Sequence, residues 1–474
     1  MAEKSAVSES VQKMANNGAS ELFGVYRGLS PKRVFHWAQK GGFAILDQGL
    51  ISGSNFLISI LLARWLVPEQ YGAYALAFGV FVLLSLVYQS LVLEPMAVFG
   101  GSTYHDCLRG YLRSLLWIHA TISFSIVVVF GASALVAWKS YHSSVMAGAL
   151  AGVTVASPCV LLFWLARRTF YLQLSASRAA LGAFVYSALS MGGLFLVYRN
   201  HLLSPFSAFG LVGLAALGTG SYNLLRLRAG LRPNTCASPA VQESWQKHWG
   251  YGRWALAGCV ANWIPAYVYF PLLSSFVSMA ASGQLRALMN FTLPLEQTKA
   301  AVSLLFLPYA ANIQARKGPS SARPLSTRMT LVALGIGGAY WAVVLLFRQP
   351  IFHFLYSGKY SEVTQLLPAV AFGSMAWTMC FGPAMALRAM QSPASVFTAY
   401  SLATCMSLVI GVPITWKFGL AGAVWGVNLA DVFSWVIVLV VLRRKITGQL
   451  DTSGRMTSWK GGSSPAMTTE LPIE

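Results

Sequence analysis

Twelve apolar stretches, each near the length a helix needs to cross a bilayer, set the limits on what this chain can fold into. They lie at roughly 42–62, 72–93, 114–138, 144–166, 179–198, 205–224, 254–276, 287–310, 329–347, 365–387, 393–413 and 420–442. A helix of about 20 apolar residues spans the hydrocarbon core. Inside that core every backbone N–H and C=O must be paired within the segment, which a helix achieves alone. Only 10% of the residues are charged, against about 25% in a soluble domain. The expected fold class is therefore all-α: a polytopic membrane protein with twelve transmembrane helices.

Charge supplies an independent test of the count. The chain holds 34 Lys and Arg against 14 Asp and Glu. Such an excess in a soluble protein would point to nucleic acid, but here the cations sit between the spans. With both termini cytoplasmic, the inner segments carry 26 of the 34 cations and the outer loops 7, with Lys299 inside a span. That is the bias by which Lys and Arg stay on the cytoplasmic side. Missing or adding one span would scramble it. No short apolar core with a small-residue cleavage site precedes residue 42, so the first span is expected to be the anchor.

Residues 225–253 form the longest connection, polar and basic, near the middle of the spans. They divide the chain into a cytoplasmic N-terminal segment (1–41), a six-helix lobe (42–224), a cytoplasmic linker (225–253), a second six-helix lobe (254–442) and a disordered cytoplasmic tail (443–474). A shift of 211 residues lays Ala44 on Ala255 and Gly72 on Gly283. Duplicated halves are common in transporters, with the substrate site between them.

The usual catalytic signatures are missing. There is no G-x-x-x-x-G-K-S/T loop, H-E-x-x-H or G-x-S-x-G. The six cysteines (107, 159, 236, 259, 380, 405) show no metal spacing and read as reduced, small apolar residues. His119, alone deep in a span, reads as a hydrogen-bonded packing residue. No enzyme, metal or cofactor is expected, and transport is the favoured class.

Polar residues within spans carry the functional candidates, because a charge at mid-helix costs about 2.5–3.5 kcal/mol on insertion scales. Thr292, Glu296, Lys299 and Ser303 follow i, i+4, i+7 and i+11, one face of a helix. Two readings stand: an internal Glu296–Lys299 ion pair, or a cavity face on which Lys299 meets an anionic substrate and Glu296 couples an ion. Arg286 would extend the basic face. Gln48, with Ser52, Asn55 and Ser59, marks a polar face in the first span with Asp47 at its margin, read as either inter-helix bonding or cavity lining. Asn428, Asp431 and Ser434 form a similar row in the last. Asn262, Trp263, Tyr267 and Tyr269 suit sugar stacking or an interfacial belt. Pro265, Pro271, Pro294 and Pro383 are candidate hinges, and Gly210, Gly213, Gly218 and Gly220 a packing stripe.

The stretch Phe43–Phe78, with LLARWLVPEQYGAYAL at 61–76, resembles the junction between the first two helices of bacterial polysaccharide-transporter proteins. These belong to the superfamily joining multidrug, oligosaccharidyl-lipid and polysaccharide exporters. The resemblance implies two lobes around a central cavity that opens alternately to each side of a bacterial inner membrane. It also implies an O-antigen-type flippase moving a polyprenyl-diphosphate-linked glycan for exopolysaccharide assembly. Arg113, Arg167, Arg168, Arg316 and Lys317 would offer cations to the diphosphate from the cytoplasmic side, and Arg64 matches the arginine of the turn. Membrane lipids, a polysaccharide polymerase and export machinery would be its partners. The rival reading is a cation-coupled drug or metabolite exporter using Asp47 or Asp431.

Overall fold

The structure, a computed structural model, describes residues 31–140, 144–173, 175–230, 239–317, 321–390 and 393–459. Among them every regular element is helical. In chain order these are α1 (Pro31–Trp65), α2 (Pro68–Tyr88), α3 (Glu94–Gly101), α4 (Leu108–Ser140), α5 (Ser144–Leu172), α6 (Ala176–Arg199) and α7 (Pro205–Gly230). Then come α8 (Val241–Tyr267), α9 (Tyr269–Phe276), α10 (Met279–Met289), α11 (Leu293–Lys317), α12 (Ala322–Leu346), α13 (Arg348–Tyr356), α14 (Leu367–Ala389) and α15 (Pro393–Trp459). Two helices make up α15. They join at Gly419, where φ 56° and ψ −128° suit only a residue without Cβ.

Among the described residues ten segments are long and apolar enough to cross a membrane, where the sequence suggested twelve. Two differences account for this. The stretch 287–310 is diluted by Glu296 and Lys299 and is absent from the ten, while 393–413 and 420–442 fall within the single segment Phe397–Thr447. The chain is a multi-pass membrane protein by these helices.

Helix ends also differ from the expected domain limits. α1 begins at Pro31, inside the segment assigned to 1–41, and helix narrows the 225–253 connection from both sides. Where a disordered tail was expected from 443, α15 runs on to Trp459. Hydropathy marks where lipid ends, whereas a helix stops only where a breaker stops it, and no proline follows Pro413 until Pro465. Residues 460–474 lie outside the described residues.

α5 packs against α2, α4 and α7, and α1 against α6; farther along, α14 packs against α12 and α15, and α15 against α8 and α9. Of the glycine stripe, Gly213 lies against the Ala156 backbone and Gly220 against Phe163, whereas Gly210 and Gly218 face open space. α2, from the first half of the chain, packs against α10, from the second. A Cβ on Gly72 would overlap the Met279 carbonyl, and one on Gly283 would stand 2.8 Å from the Pro68 oxygen. Both partners, 68 with 279 and 72 with 283, are related by the 211-residue shift. Contacts that exchange i with j are what a twofold relation produces.

Two prolines expose carbonyls that another helix takes. Pro95 has no N–H for Leu91, four residues back. A π-helical turn, Gln89–Leu93, forms there, and the buried His248 of α8 lies 2.8 Å from the Leu91 oxygen and 2.6 Å from the Tyr111 hydroxyl. Burial lowers the His248 pKa, so its neutral ring bridges α8, α4 and the π turn. Pro265 likewise frees the Ala261 carbonyl, to which Thr404 donates at 2.8 Å. That kink is pinned by a neighbour instead of being open.

One cysteine departs from expectation: Cys107 is disulfide-bonded. It sits in a short 3₁₀ turn, His105–Cys107, beyond the apolar spans. Cys159, Cys259, Cys380 and Cys405 are free, as expected, and Cys236 lies outside the described residues. His119 is buried between Tyr88 at 3.1 Å and Ser123 at 3.2 Å, in keeping with a packing role.

Candidate functional site: a polar cavity in the second set of helices

The polar residues of α10, α11 and α15 meet around a cavity of about 280 Å³. Its wall includes Asn262, Tyr267, Arg286, Thr292, Glu296, Trp377, Asn428 and Asp431. Four of the sequence candidates, Arg286, Thr292, Glu296 and Asp431, are thus brought together. Gly373 on α14 makes room for the last row, since a Cβ there would meet Asn428 and stand 3.3 Å from the Asp431 carboxylate.

Lys299 lies behind this wall and pairs with Glu296 at 2.7 Å. The Glu296 carboxylate also accepts from Trp377 Nε1 at 3.2 Å, and Lys299 reaches Thr378 at 3.5 Å. The i,i+3 ion pair therefore exists, and its Glu296 end is part of the cavity wall. Thr292 and Ser303 spend their hydroxyls on backbone carbonyls one turn back, those of Met289 and Lys299. Asp431 has no hydrogen-bond partner among the described residues.

Arg286 is the outstanding charge. It is 5% exposed, its Nε has no acceptor, and no carboxylate pairs with it among the described residues. Phe78 of α2 covers it, 4.3 Å from the guanidinium carbon to the ring centre, and the hydroxyls of Tyr71, Tyr74 and Tyr267 surround it. A buried cation without a counter-charge costs several kcal/mol, a cost that a bound anion would offset.

Beside Arg286 the helix sets are joined by a closed polar ring. Ser59 donates to Asn290 at 2.9 Å, Asn290 donates to Tyr71 at 3.0 Å, and Tyr71 returns to Ser59 at 3.2 Å. Tyr356 extends it, donating to the Ala287 carbonyl at 2.9 Å. Farther along α1, Ser52 donates to Gln297 at 2.9 Å. Arg64 donates to Phe354 and Lys359 to the Arg64 and Leu66 carbonyls, which ties the turn after α1 to α13.

Asp47 is elsewhere. Fully buried, it takes both oxygens to Arg167, at 2.9 and 2.8 Å from Nε, and a further bond from Tyr171. Gln48 accepts from the same arginine at 3.2 Å. The pair joins α1 to α5, so Arg167 is already neutralised. Removing one partner strands a buried charge, so Asp47→Asn is expected to destabilise the protein by about 3–5 kcal/mol. Adding Arg167→Gln should recover part of the loss, measured as chemical unfolding in detergent. Asn55 and Arg113 are exposed, and Arg168 lies within electrostatic reach of Glu94. Arg316 and Lys317 end α11, with side chains outside the described residues.

Trp377, Thr378 and the Asn290–Tyr71–Tyr356 ring were missed by sequence reasoning. Single polar groups on otherwise apolar helices carry no periodic signal.

No protein-family model matches the chain, and no curated protein matches it. Solved structures do. An inward-facing multidrug resistance MATE family transporter of the MOP superfamily superimposes with a TM-score of 0.73 at 14% identity, covering 86% of this chain and 99% of that one. The lipid II flippase MurJ, in an inward closed conformation, gives 0.68 at 12% identity over 86% and 87%. A MOP superfamily transporter from Pyrococcus furiosus Vc1, described as having a binding pocket of reverse polarity, gives 0.62 at 12% identity over 85% and 94%. At these identities the likeness is one of architecture, and the chain has the fold of MOP-superfamily transporters.

Proposed function

We propose that the protein is a flippase that carries a polyprenyl-diphosphate-linked oligosaccharide across a bacterial inner membrane for surface or exopolysaccharide assembly. In this reading both termini are cytoplasmic, and twelve spans form two six-helix lobes around the substrate path. The observation that carries it is Arg286, a buried cation without a carboxylate partner among the described residues, lining a cavity beside aromatic rings. A diphosphate would supply the missing charge, and Tyr267 and Trp377 offer faces for sugar. The MurJ-like architecture supports the reading, since that protein is a lipid II flippase. A polysaccharide polymerase and export machinery would act on the delivered product.

A second reading is favoured by a different observation. Asp431 has no hydrogen-bond partner among the described residues and Glu296 shares its cavity, as a cation-coupled exporter would require, and MATE transporters have the same fold. A strain lacking the protein separates the two. Accumulated lipid-linked oligosaccharide with lost surface polymer supports the flippase; unchanged polysaccharide with altered drug efflux supports the exporter. Within either, Lys299→Ala and Glu296→Gln should each reduce transport by about tenfold or more, the cost of a charge-assisted bond, at unchanged membrane abundance. Normal transport by both would leave that pair a structural tie.

A further inference from the structure

On the opposite face of α11 from the polar cavity lies a second crevice, of about 250 Å³. α11 contributes Leu295, Thr298, Lys299 and Val302, at i, i+3, i+4 and i+7; α12 contributes Leu325, Arg328, Val332 and Ile336 at similar spacing. Two helical stripes thus face each other, with Phe381 of α14 also in the lining. Val332 and Ile336 are 61% and 47% exposed within the span Ala322–Leu346. Side chains of this kind exposed at that depth face hydrocarbon, so the crevice opens sideways into the bilayer.

Its charge is of one sign. Among the described residues, Lys299 and Arg328 are the only titratable ones lining it. Arg328 is exposed and has no ion pair or hydrogen bond among the described residues. It lies six residues into α12, about 9 Å along the axis at 1.5 Å per residue, near the basic end of the bundle. Lys299 is 7% exposed. Its ammonium has three donors, of which Glu296 and Thr378 take two.

We propose that this crevice binds the phosphate of an anionic lipid, with Arg328 as the peripheral contact and Lys299 as the deep one. The apolar walls would hold the first part of the lipid chain. A water-soluble anion is disfavoured because the opening is lateral and the lining is Leu, Val, Ile and Phe. A packed partner helix is disfavoured too, since such interfaces are rich in small residues and Ala333 is the one small residue among the described residues of this wall. Lys299 touches the first site only through its pair with Glu296. A phosphate on the crevice side competes with Glu296 for it, and so reports to Asp431 across the helix.

The test uses the full chain in phosphatidylcholine nanodiscs, with bound lipid read by native mass spectrometry. The probes are phosphatidylglycerol, a polyprenyl diphosphate without sugar, the corresponding polyprenol, and inorganic pyrophosphate. Binding of one or both phosphate lipids, with neither polyprenol nor pyrophosphate retained, is expected. Arg328→Gln should weaken it by about tenfold, Arg328→Lys should retain most of it, and the neighbouring Arg323→Gln should leave it unchanged. Equal retention of both lipids identifies a resident bilayer lipid, and preference for the polyprenyl diphosphate identifies cargo loading. Unchanged binding in Arg328→Gln, an equal loss in Arg323→Gln, or equally tight pyrophosphate would overturn the proposal. Arg328 is exposed, so folding does not confound the result. No transport is required, so failure here is separable from failure of the flippase reading.

Discussion

Replacement of Arg286 by methionine is expected to abolish transport while making the folded protein more stable. The two effects have opposite signs for one reason. Arg286 is buried, its Nε is unsatisfied, and no carboxylate pairs with it among the described residues. Desolvating a buried charge costs several kcal/mol, so an apolar side chain of similar length is expected to stabilise the fold. Methionine keeps the contact with Phe78 through a flexible, polarizable chain. A residue retained for packing would behave the other way, and its loss would lower both quantities. The thermal midpoint in detergent and the transport rate in proteoliposomes, taken on the same preparation, decide between them. A lower midpoint with intact transport would remove Arg286 from the substrate path.

The second large effect is expected at the α2–α10 crossing. Gly72→Ala places a methyl group on the Met279 carbonyl, which is backbone and cannot rotate away. Overpacking of this kind costs about 1–3 kcal/mol, and here it falls on the contact that keeps the two helix sets together. Gly283→Ala should act alike, since its methyl meets the Pro68 oxygen. The double variant should cost less than the sum of the singles. Once the first methyl has pushed the helices apart, the second finds room, and residues sharing one contact couple in this way. Unfolding of the three variants measures the coupling. Thiol labelling of a cysteine introduced at Ser278 should rise in each, showing that this end of the bundle has opened.

How much of this could be read from the chain depends on whether the signal is periodic. The spans were legible because lipid imposes a long apolar run, and the Glu296–Lys299 face because four polar residues repeat at helical spacing. Arg286 was legible as a residue but not as a site, since burial under Phe78 depends on a helix more than 200 residues away in sequence. Asp47 was read as cavity lining or inter-helix bonding; only the fold brings Arg167 beside it. The helix ends differ from the expected limits because hydropathy measures solvent, whereas helix termination is governed by local chemistry. Gly72 and Gly283, aligned by a weak repeat, proved to touch.

The histidine resting on the π turn has a consequence for how the protein is made. Its acceptor, the Leu91 carbonyl, and its second partner, Tyr111, are both translated more than 130 residues before His248. By the time α8 leaves the ribosome, the surface that receives it is already inserted in the bilayer. The later helices are therefore threaded onto a finished template, with one buried imidazole setting the depth at which the first of them docks. A chain truncated at Gly230 would keep that template but leave Leu91 without its partner, a ready mark for membrane quality control.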